Sequence, residues 1–328
     1  MADIFDMESS DYASVIDRTG LDPEQLDTEG ADQHFAALDD RQLIRARCSI
    51  WWRESPRICG TPTGAIGHYA ATDEKFGRAV LEHACRELAN RGCEIAVGPM
   101  NGNTWRQYRF ITERGSARPF FLEPDNPDEY PVHFRRHGFD TIATYVSEIN
   151  YSMATRQPEL GSLRRKIAKQ GIDIVPLDTA NPEADLDGIY DVVRESFTRA
   201  FLYTPLDRAS FRQMYAPLMR QVDPGLMLLA KQAGEVVGFV FAPPDVLQRR
   251  YRDDVDAIVI KTIAVRPRPA LSGLGRVLIV DMLRNALAMG FTTAISALMH
   301  VDNRSQKISA DCARPMRTYE LFARDLTL

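Results

Sequence analysis

The sequence predicts an α/β protein of the α+β, mixed-sheet kind, made of two similar domains, each a mostly antiparallel twisted sheet flanked by helices. Three observations carry this reading. First, FGRAVLEHACRELANRG (76–92) and LGRVLIVDMLRNALAMG (274–290) match without a gap, pairing Gly77 with Gly275, Arg78 with Arg276, Arg86 with Arg284 and Gly92 with Gly290. Second, each lies between two strand-like runs: TGAIGHYAA (63–71) and CEIAVGPM (93–100), then AIVIKTIAV (257–265) and FTTAISALM (291–299). A helix between two such runs is a βαβ unit, so the chain holds two copies. Third, a chain of 328 residues exceeds what one hydrophobic core usually serves.

The elements follow in order. IRARCSIWW (44–52) reads as a strand ahead of the first copy. Both repeated helices run about four turns and end on a glycine suited to a C-cap. YPVHFRRHGFDTIATYVSEI (130–149) reads as a helix ending in Gly-Phe, followed by closing strands. MATRQPELGSLRRKIAKQGID (153–173) holds a short basic helix, and Arg164, Arg165 and Lys166 read as a solvated linker face rather than an anion site. The divisions are therefore 1–152, a linker at 153–171, and 172–328. The second domain opens with a strand at 172–177. Helices at 185–200 and 207–222 follow, beginning with Asp185 and Asp207 as N-caps. GLMLLAKQ (225–232), AGE and VVGFVFAPP (236–244) make a β-hairpin, and the chain closes on TYELFARDL.

Composition excludes several classes. Hydrophobic residues at 45% and charged residues at 26% are ordinary for a soluble globular protein. A net charge of −5 argues against nucleic-acid binding by phosphate neutralisation. The acidic start lacks the basic-then-apolar order of a signal peptide, and no apolar run approaches the ~20 residues that cross a bilayer. The five cysteines, among them Cys312, are widely spaced and lack a CxxC pair, so neither a disulfide framework nor a metal site is expected. The expected setting is the reducing cytoplasm.

The most informative stretch is VRPRPALSGLGRVLIVDML (265–283). By themselves its two glycines make a corner, with Ser272 capping the helix. Their place after a hairpin and a third strand, with Arg266, Arg268 and Arg276 nearby, favours a phosphate cradle. A helix N-terminus offers unpaired N–H groups and partial positive charge, and glycine lets the backbone approach a phosphate closely.

This order over 172–328 resembles the GCN5-related N-acetyltransferase (GNAT) family. Its acyl-CoA motif, a strand and then R/Q-x-x-G-x-G/A opening a helix, falls on TIAVRPRPALSGLGRVLI, with Gly273 and Gly275 at the glycine positions and Ala270 at the first. The resemblance implies acetyl-CoA or another acyl-CoA as co-substrate, no metal, and a small-molecule amine as acceptor. It assigns CoA contacts to Ile263, Ala264 and Val265 on the strand, and to Ala270, Leu271, Ser272, Gly273, Leu274, Gly275 and Arg276 in the loop. Asn303 falls where the family has an asparagine, and Ser305 where a side chain meets the pantetheine arm. The first copy resembles the family less fully. Its loop is ATDEK, and Asp73 with Glu74 would repel a pyrophosphate, so it is read as a domain that kept the fold and lost the cofactor.

The implied chemistry is direct acyl transfer without a covalent enzyme intermediate. A base must take the amine proton, and a backbone N–H near Ala264 or Val265 must receive the oxyanion. The family's tyrosine acid is missing, since Ala310 and Asp311 stand there and Tyr319 falls in the closing strand. His300 with Asp302 is read either as a base pair at the CoA mouth or as surface polar residues. Tyr203 either shapes the acceptor pocket or packs on a core edge. GPMNGNTWRQYRF (98–110) is an acceptor loop or, as its Trp105 and Tyr108 favour, a domain-interface element. RPFFLEPDNPDEY (118–130) is read as a proline-rich surface loop. A non-catalytic acyl-CoA sensor, and a transferase fed by an acyl-carrier protein, are the alternatives.

Overall fold

The computed structural model describes residues 3–6, 29–151, 153, 160–180, 182–219, 222–302 and 313–327. The first half builds strands β1 (Asp3–Asp6), β2 (Gln33–Leu38), β3 (Ile44–Trp51) and β4 (Thr63–Ala71), each antiparallel to the next. Helix α1 (Glu74–Asn90) then crosses to β5 (Ile95–Gly98), which runs parallel to β4. After β6 (Phe110–Glu113) come α2 (Glu129–Arg136) and the long β7 (Asp140–Asn150). Alternating buried and half-buried residues along β7 mark a strand with one face in the core.

The second half begins with α3 (Gly161–Lys169) and β8 (Ile172–Pro176). Helices α4 (Pro182–Phe197) and α5 (Arg208–Met219) follow, then the hairpin β9 (Met227–Gln232) and β10 (Glu235–Phe241). Its turn residues Ala233 and Gly234 both have positive φ, the geometry of a type I′ turn. Next are β11 (Ala257–Ile260), β12 (Thr262–Val265), α6 (Leu274–Ala288), β13 (Thr293–His300) and β14 (Arg314–Asp325). Gly92 and Gly290 both adopt left-handed φ just past their helices, as the repeat predicts.

The closing strands of the two halves are exchanged. β14, the last strand, lies between β5 and β7 of the first half, with Phe322 opposite Gly98 and Tyr319 opposite Tyr145. β7 in turn lies between β14 and β13, with Ile149 opposite Ile295. One sheet in the order β1-β2-β3-β4-β5-β14-β7-β13-β11 therefore runs through both halves, while β12-β10-β9-β8 forms a second sheet. Each half keeps its own apolar core. Phe35, Ile66, Leu81, Leu88 and Phe134 centre the first, and Val192, Leu229, Val240, Leu274 and Leu278 the second.

Three expectations are corrected here. Asp185 caps nothing: α4 starts at Pro182, and the buried Asp185 pairs with Lys231 at 2.6 Å and accepts from Asp178 N–H at 3.1 Å. Asp207 does cap its helix, accepting from Ala209 and Ser210 N–H. Segment 118–130 is a surface loop only in part: Arg118, Leu122, Asp125 and Pro127 are exposed, but other residues turn inward. Phe120 is buried with Ile149, Val259 and Ile295, and Glu123 forms a 2.5 Å ion pair with the fully buried Arg317. Apolar Phe120 and the need to neutralise Arg317 outweigh the proline-rich composition. Finally, the run 257–265 is two strands, broken at Lys261.

Candidate functional site

The break at Lys261 opens the candidate site. β11 runs parallel to β13 up to the pair Ile260–Ser296, whereas among the described residues β12 pairs with β10, antiparallel, and not with β13. Two adjacent strands thus part company just beyond Ile260 and Ser296. The Arg266 N–H to Val237 C=O bond fixes the β12–β10 register. In an antiparallel ladder the bonded pairs alternate, so Ala264 faces Phe239. The N–H groups of Ile263 and Val265 are directed away from β10, toward the gap. The Val265 carbonyl accepts from Ser196 Oγ at 3.0 Å.

Beyond β12 the chain turns through Pro269–Leu271 into α6, whose N-cap is Gly273 at φ +92° without a side-chain cap. The Gly273 carbonyl accepts from Arg276 and Val277 N–H. The N–H groups of Gly273, Leu274 and Gly275 have no acceptor among the described residues, leaving three donors aligned with the positive end of the helix dipole. Ser272 does not cap this helix; its own N–H bonds Pro269 C=O.

The cations around this loop differ from expectation. Arg266 is buried and held by Glu195 at 2.7 Å and Glu235 at 2.8 Å, and Arg268 lies 3.6 Å from Glu235. Arg276, exposed in the first turn of α6, has no carboxylate partner among the described residues. In exchange, α3 docks on the loop. Lys166 Nζ donates to Ser272 C=O and Gln170 Nε2 to Ala270 C=O, both at 3.0 Å, and Arg164 pairs with Asp281 of α6. The basic helix read as a linker face is part of the loop's support.

The first copy closes the equivalent position with its own side chain. Asp73, the N-cap of α1, accepts from Phe76 N–H at 3.1 Å, and Glu74 follows in the first turn. The cleft beside it, about 410 Å³, is lined by Asp73, Glu74, Asp128 and Glu129, with His133 and Arg136.

The first half supplies the wall opposite the gap. Arg109, only 7% exposed, has its guanidinium between the rings of Tyr108 and Tyr145, 3.8 and 3.9 Å from their centres. It donates to Leu298 C=O at 3.3 Å, and Leu298 sits at positive φ in a bulge of β13 between Ser296 and Met299. Trp105 reaches the second half, donating to Thr204 C=O at 2.8 Å and packing edge-on against Phe211 and Tyr215.

Several solved structures resemble this chain in fold. A GCN5-related N-acetyltransferase from Sphaerobacter thermophilus covers 97% of this chain and 86% of its own, at 13% identity and TM-score 0.54. A tandem GNAT protein from the clavulanic acid biosynthesis pathway covers 99% of both chains, at 10% identity and TM-score 0.54. The chain has the GNAT fold. A probable N-acyltransferase from Enterococcus faecalis V583 is also similar, at 12% identity and TM-score 0.59 over 99% of this chain and 73% of that one. No family model matches the sequence, and no curated protein matches it.

Within the GNAT fold the sequence-predicted residues separate into groups. Ile263, Ala264 and Val265 lie on β12 at the gap, and Ala270 to Arg276 form the turn into α6. Asn303, Ser305 and Cys312 lie outside the described residues. His300 meets the edge of Tyr145, and its Nδ1 accepts from Asp302 N–H at 3.2 Å. The Asp302 carboxylate is 3.8 Å from the ring nitrogen and highly exposed, so the two form a loose surface contact. Tyr203 packs on Trp105, rings 5.9 Å apart, and burial raises its pKa. Tyr319 is fully buried in β14, bonded to Ser147 and Glu123. Sequence reading missed Arg109 and Lys261. A lone lysine inside an apolar strand was the available signal. Burial, with the charge of Arg109 behind it, pushes that lysine down to about 8.

Proposed function

We propose that this chain is an acyl-CoA-dependent N-acyltransferase, moving an acyl group, in the simplest case acetyl, from a CoA thioester to the amine of a small molecule. The observation that carries this is the pairing of two features on one chain segment. β12 parts from β13 with outward N–H groups, and eight residues later the uncapped N-terminus of α6 presents three more.

The geometry supports the following roles. Gly273, Leu274 and Gly275 N–H would receive the pyrophosphate, with Arg276 adding charge at the rim. The extended edge of β12 matches the amide-bearing pantetheine arm as an added strand. Either Ile263 or Val265 N–H, fixed in direction by the β10 ladder, would take the developing oxyanion without reorganising. The first half would bind no CoA and would form the acceptor side of the cleft through Arg109, Tyr108 and Trp105. The division of labour follows the sequence boundaries 1–152 and 172–328, apart from the exchanged closing strands.

Calorimetric titration with CoA and acetyl-CoA tests the first step, and thiol release with a panel of small amines tests the second. Binding with thiol release supports the proposal. Binding without release from any amine leaves a sensor, and no binding of either thiol or thioester removes the CoA reading altogether.

A further inference from the structure

The gap carries a charge arrangement that acyl-CoA binding does not use. Lys261 stands at the break, one residue past the last β11–β13 pair. Ile258 of β11 packs in the α6-side core, whereas Val259 packs with Phe120, Ile295 and Ala297 on the opposite face. Strand alternation puts Lys261 on the Val259 face, toward the first half. Arg109 meets β13 at Leu298, two residues beyond the partner of Ile260. Lysine and arginine thus flank the gap at one level on its two sides, close enough that the charge of Arg109 acts on Lys261.

Neither cation has an acidic partner among the described residues. The other two arginines buried as deeply as Arg109 are both neutralised: Arg317 by Glu123, and Arg266 by Glu195 and Glu235. Among the described residues Arg109 meets two carbonyls and two aromatic faces. Two neighbouring cations, one buried and one half-buried, repel each other and favour an anion between them. A guanidinium held flat by two rings is preorganised for a planar, two-oxygen acceptor.

We infer that Arg109 and Lys261 form a carboxylate-binding site beside the transfer point, so that one of the reacting molecules carries a carboxylate. Lys261 is two residues from Ile263 along the chain, roughly 6–7 Å if the backbone is extended. The carboxylate therefore lies within a few bonds of the reacting centre. This rests on the acyl-CoA reading. The carboxylate belongs either to the amine acceptor, as in an amino acid, or to the acyl group, as in a dicarboxylic monothioester.

Two arms separate these sources. The first compares the affinities of succinyl-CoA and butyryl-CoA, which differ by carboxylate against methyl at the acyl end. The second uses protein saturated with CoA and compares stabilisation by the twenty amino acids with that by their carboxamides. At least a tenfold preference for the carboxylate form is expected in one arm, and it identifies the source. Lys261→Met, similar in shape and half-buried at its site, should reduce the preference at least fivefold while CoA affinity stays within twofold. Arg109→Gln should do the same if its melting curve shows it folded. No carboxylate preference in either arm, or a preference that survives Lys261→Met, overturns this inference while CoA binding stands. Failure of CoA itself to bind removes the underlying reading instead.

Discussion

Trp105 Nε1 donates to the carbonyl of Thr204 at 2.8 Å, joining the 98–110 loop of the first half to the segment between α4 and α5. The indole also packs on Phe211 and Tyr215. Together with β14 lying in the first half, this contact should make the two halves unfold as one cooperative unit. Trp105→Ala should cost on the order of 3 kcal/mol through lost packing, and Trp105→Phe about 1 kcal/mol through the lost hydrogen bond. Urea unfolding followed by circular dichroism and by tryptophan fluorescence should give one coincident transition for the wild type. Two separated transitions would show the halves unfolding independently.

Local order was legible in the sequence, and long-range pairing was not. The repeated helices, their closing glycines, the hairpin and the glycine turn all follow from short-range patterns such as Gly92, Gly290 and the Ala233–Gly234 turn. The exchange of β7 and β14 leaves no local trace, because a strand's alternation says which face is buried and not which neighbour it meets. Lys261 is similar. Its break in AIVIKTIAV looks like a tolerated polar residue until β11 and β12 are seen in different sheets. Arg109 gains its meaning only from Tyr145 and Leu298, far along the chain.

The loop glycines should behave unequally. A Cβ on Gly273 would lie 2.7 Å from a Leu163 methyl on α3, and its φ of +92° disfavours any L side chain. Gly273→Ala should cost about 1–2 kcal/mol and weaken CoA binding at least tenfold by reorienting the donors. A Cβ on Gly275 would meet Ile263 at 3.4 Å, an ordinary contact, so Gly275→Ala should leave both melting temperature and CoA affinity nearly unchanged. Equal losses in the two variants would argue against a special role for the turn.

The buried ion pair should be brittle. Arg317 and Glu123 are 0% and 1% exposed at their side chains, 2.5 Å apart, and the same carboxylate accepts from Tyr319. Removing one member leaves an uncompensated buried charge, so Glu123→Ala should cost about 3–5 kcal/mol. Tyr319→Phe, which removes only a hydroxyl, should cost about 1–2 kcal/mol. Denaturant midpoints at neutral pH check both, and a near-neutral Glu123→Ala would mean that water reaches Arg317.

His34 makes stability pH-dependent. Its Nδ1 lies 2.6 Å from Ser49 Oγ, which also contacts His68, and His68 in turn meets Glu29 at 2.7 Å. Burial first, and the charge of His68 second, lower the His34 pKa to about 4. The unfolded chain, with an ordinary histidine pKa near 6.5, binds this proton more readily. The contribution is therefore complete above about pH 6.5 and is lost as pH falls toward 4. The loss amounts to roughly 3 kcal/mol. Carboxylates titrate in the same range, so the comparison is between wild type and His34→Gln, whose stability should fall less steeply between pH 6.5 and 4. Parallel curves would exclude His34 as the group responsible.

Asp73 and Gly273 are the N-cap residues of α1 and α6, and they predict how many CoA molecules bind. Asp73 already satisfies Phe76 N–H and brings a negative charge to the helix start, whereas the α6 start is uncapped. Titration calorimetry should therefore show one CoA per chain, and Gly273→Ala should weaken that single site without exposing a second. Asp73→Asn keeps a capping oxygen and removes the charge, so it should preserve stability to within about 1 kcal/mol. It should not create a second site, because Glu74, Asp128 and Glu129 still line the adjoining cleft. A stoichiometry of two in the wild type would show that the first half retained its cofactor despite the ATDEK turn.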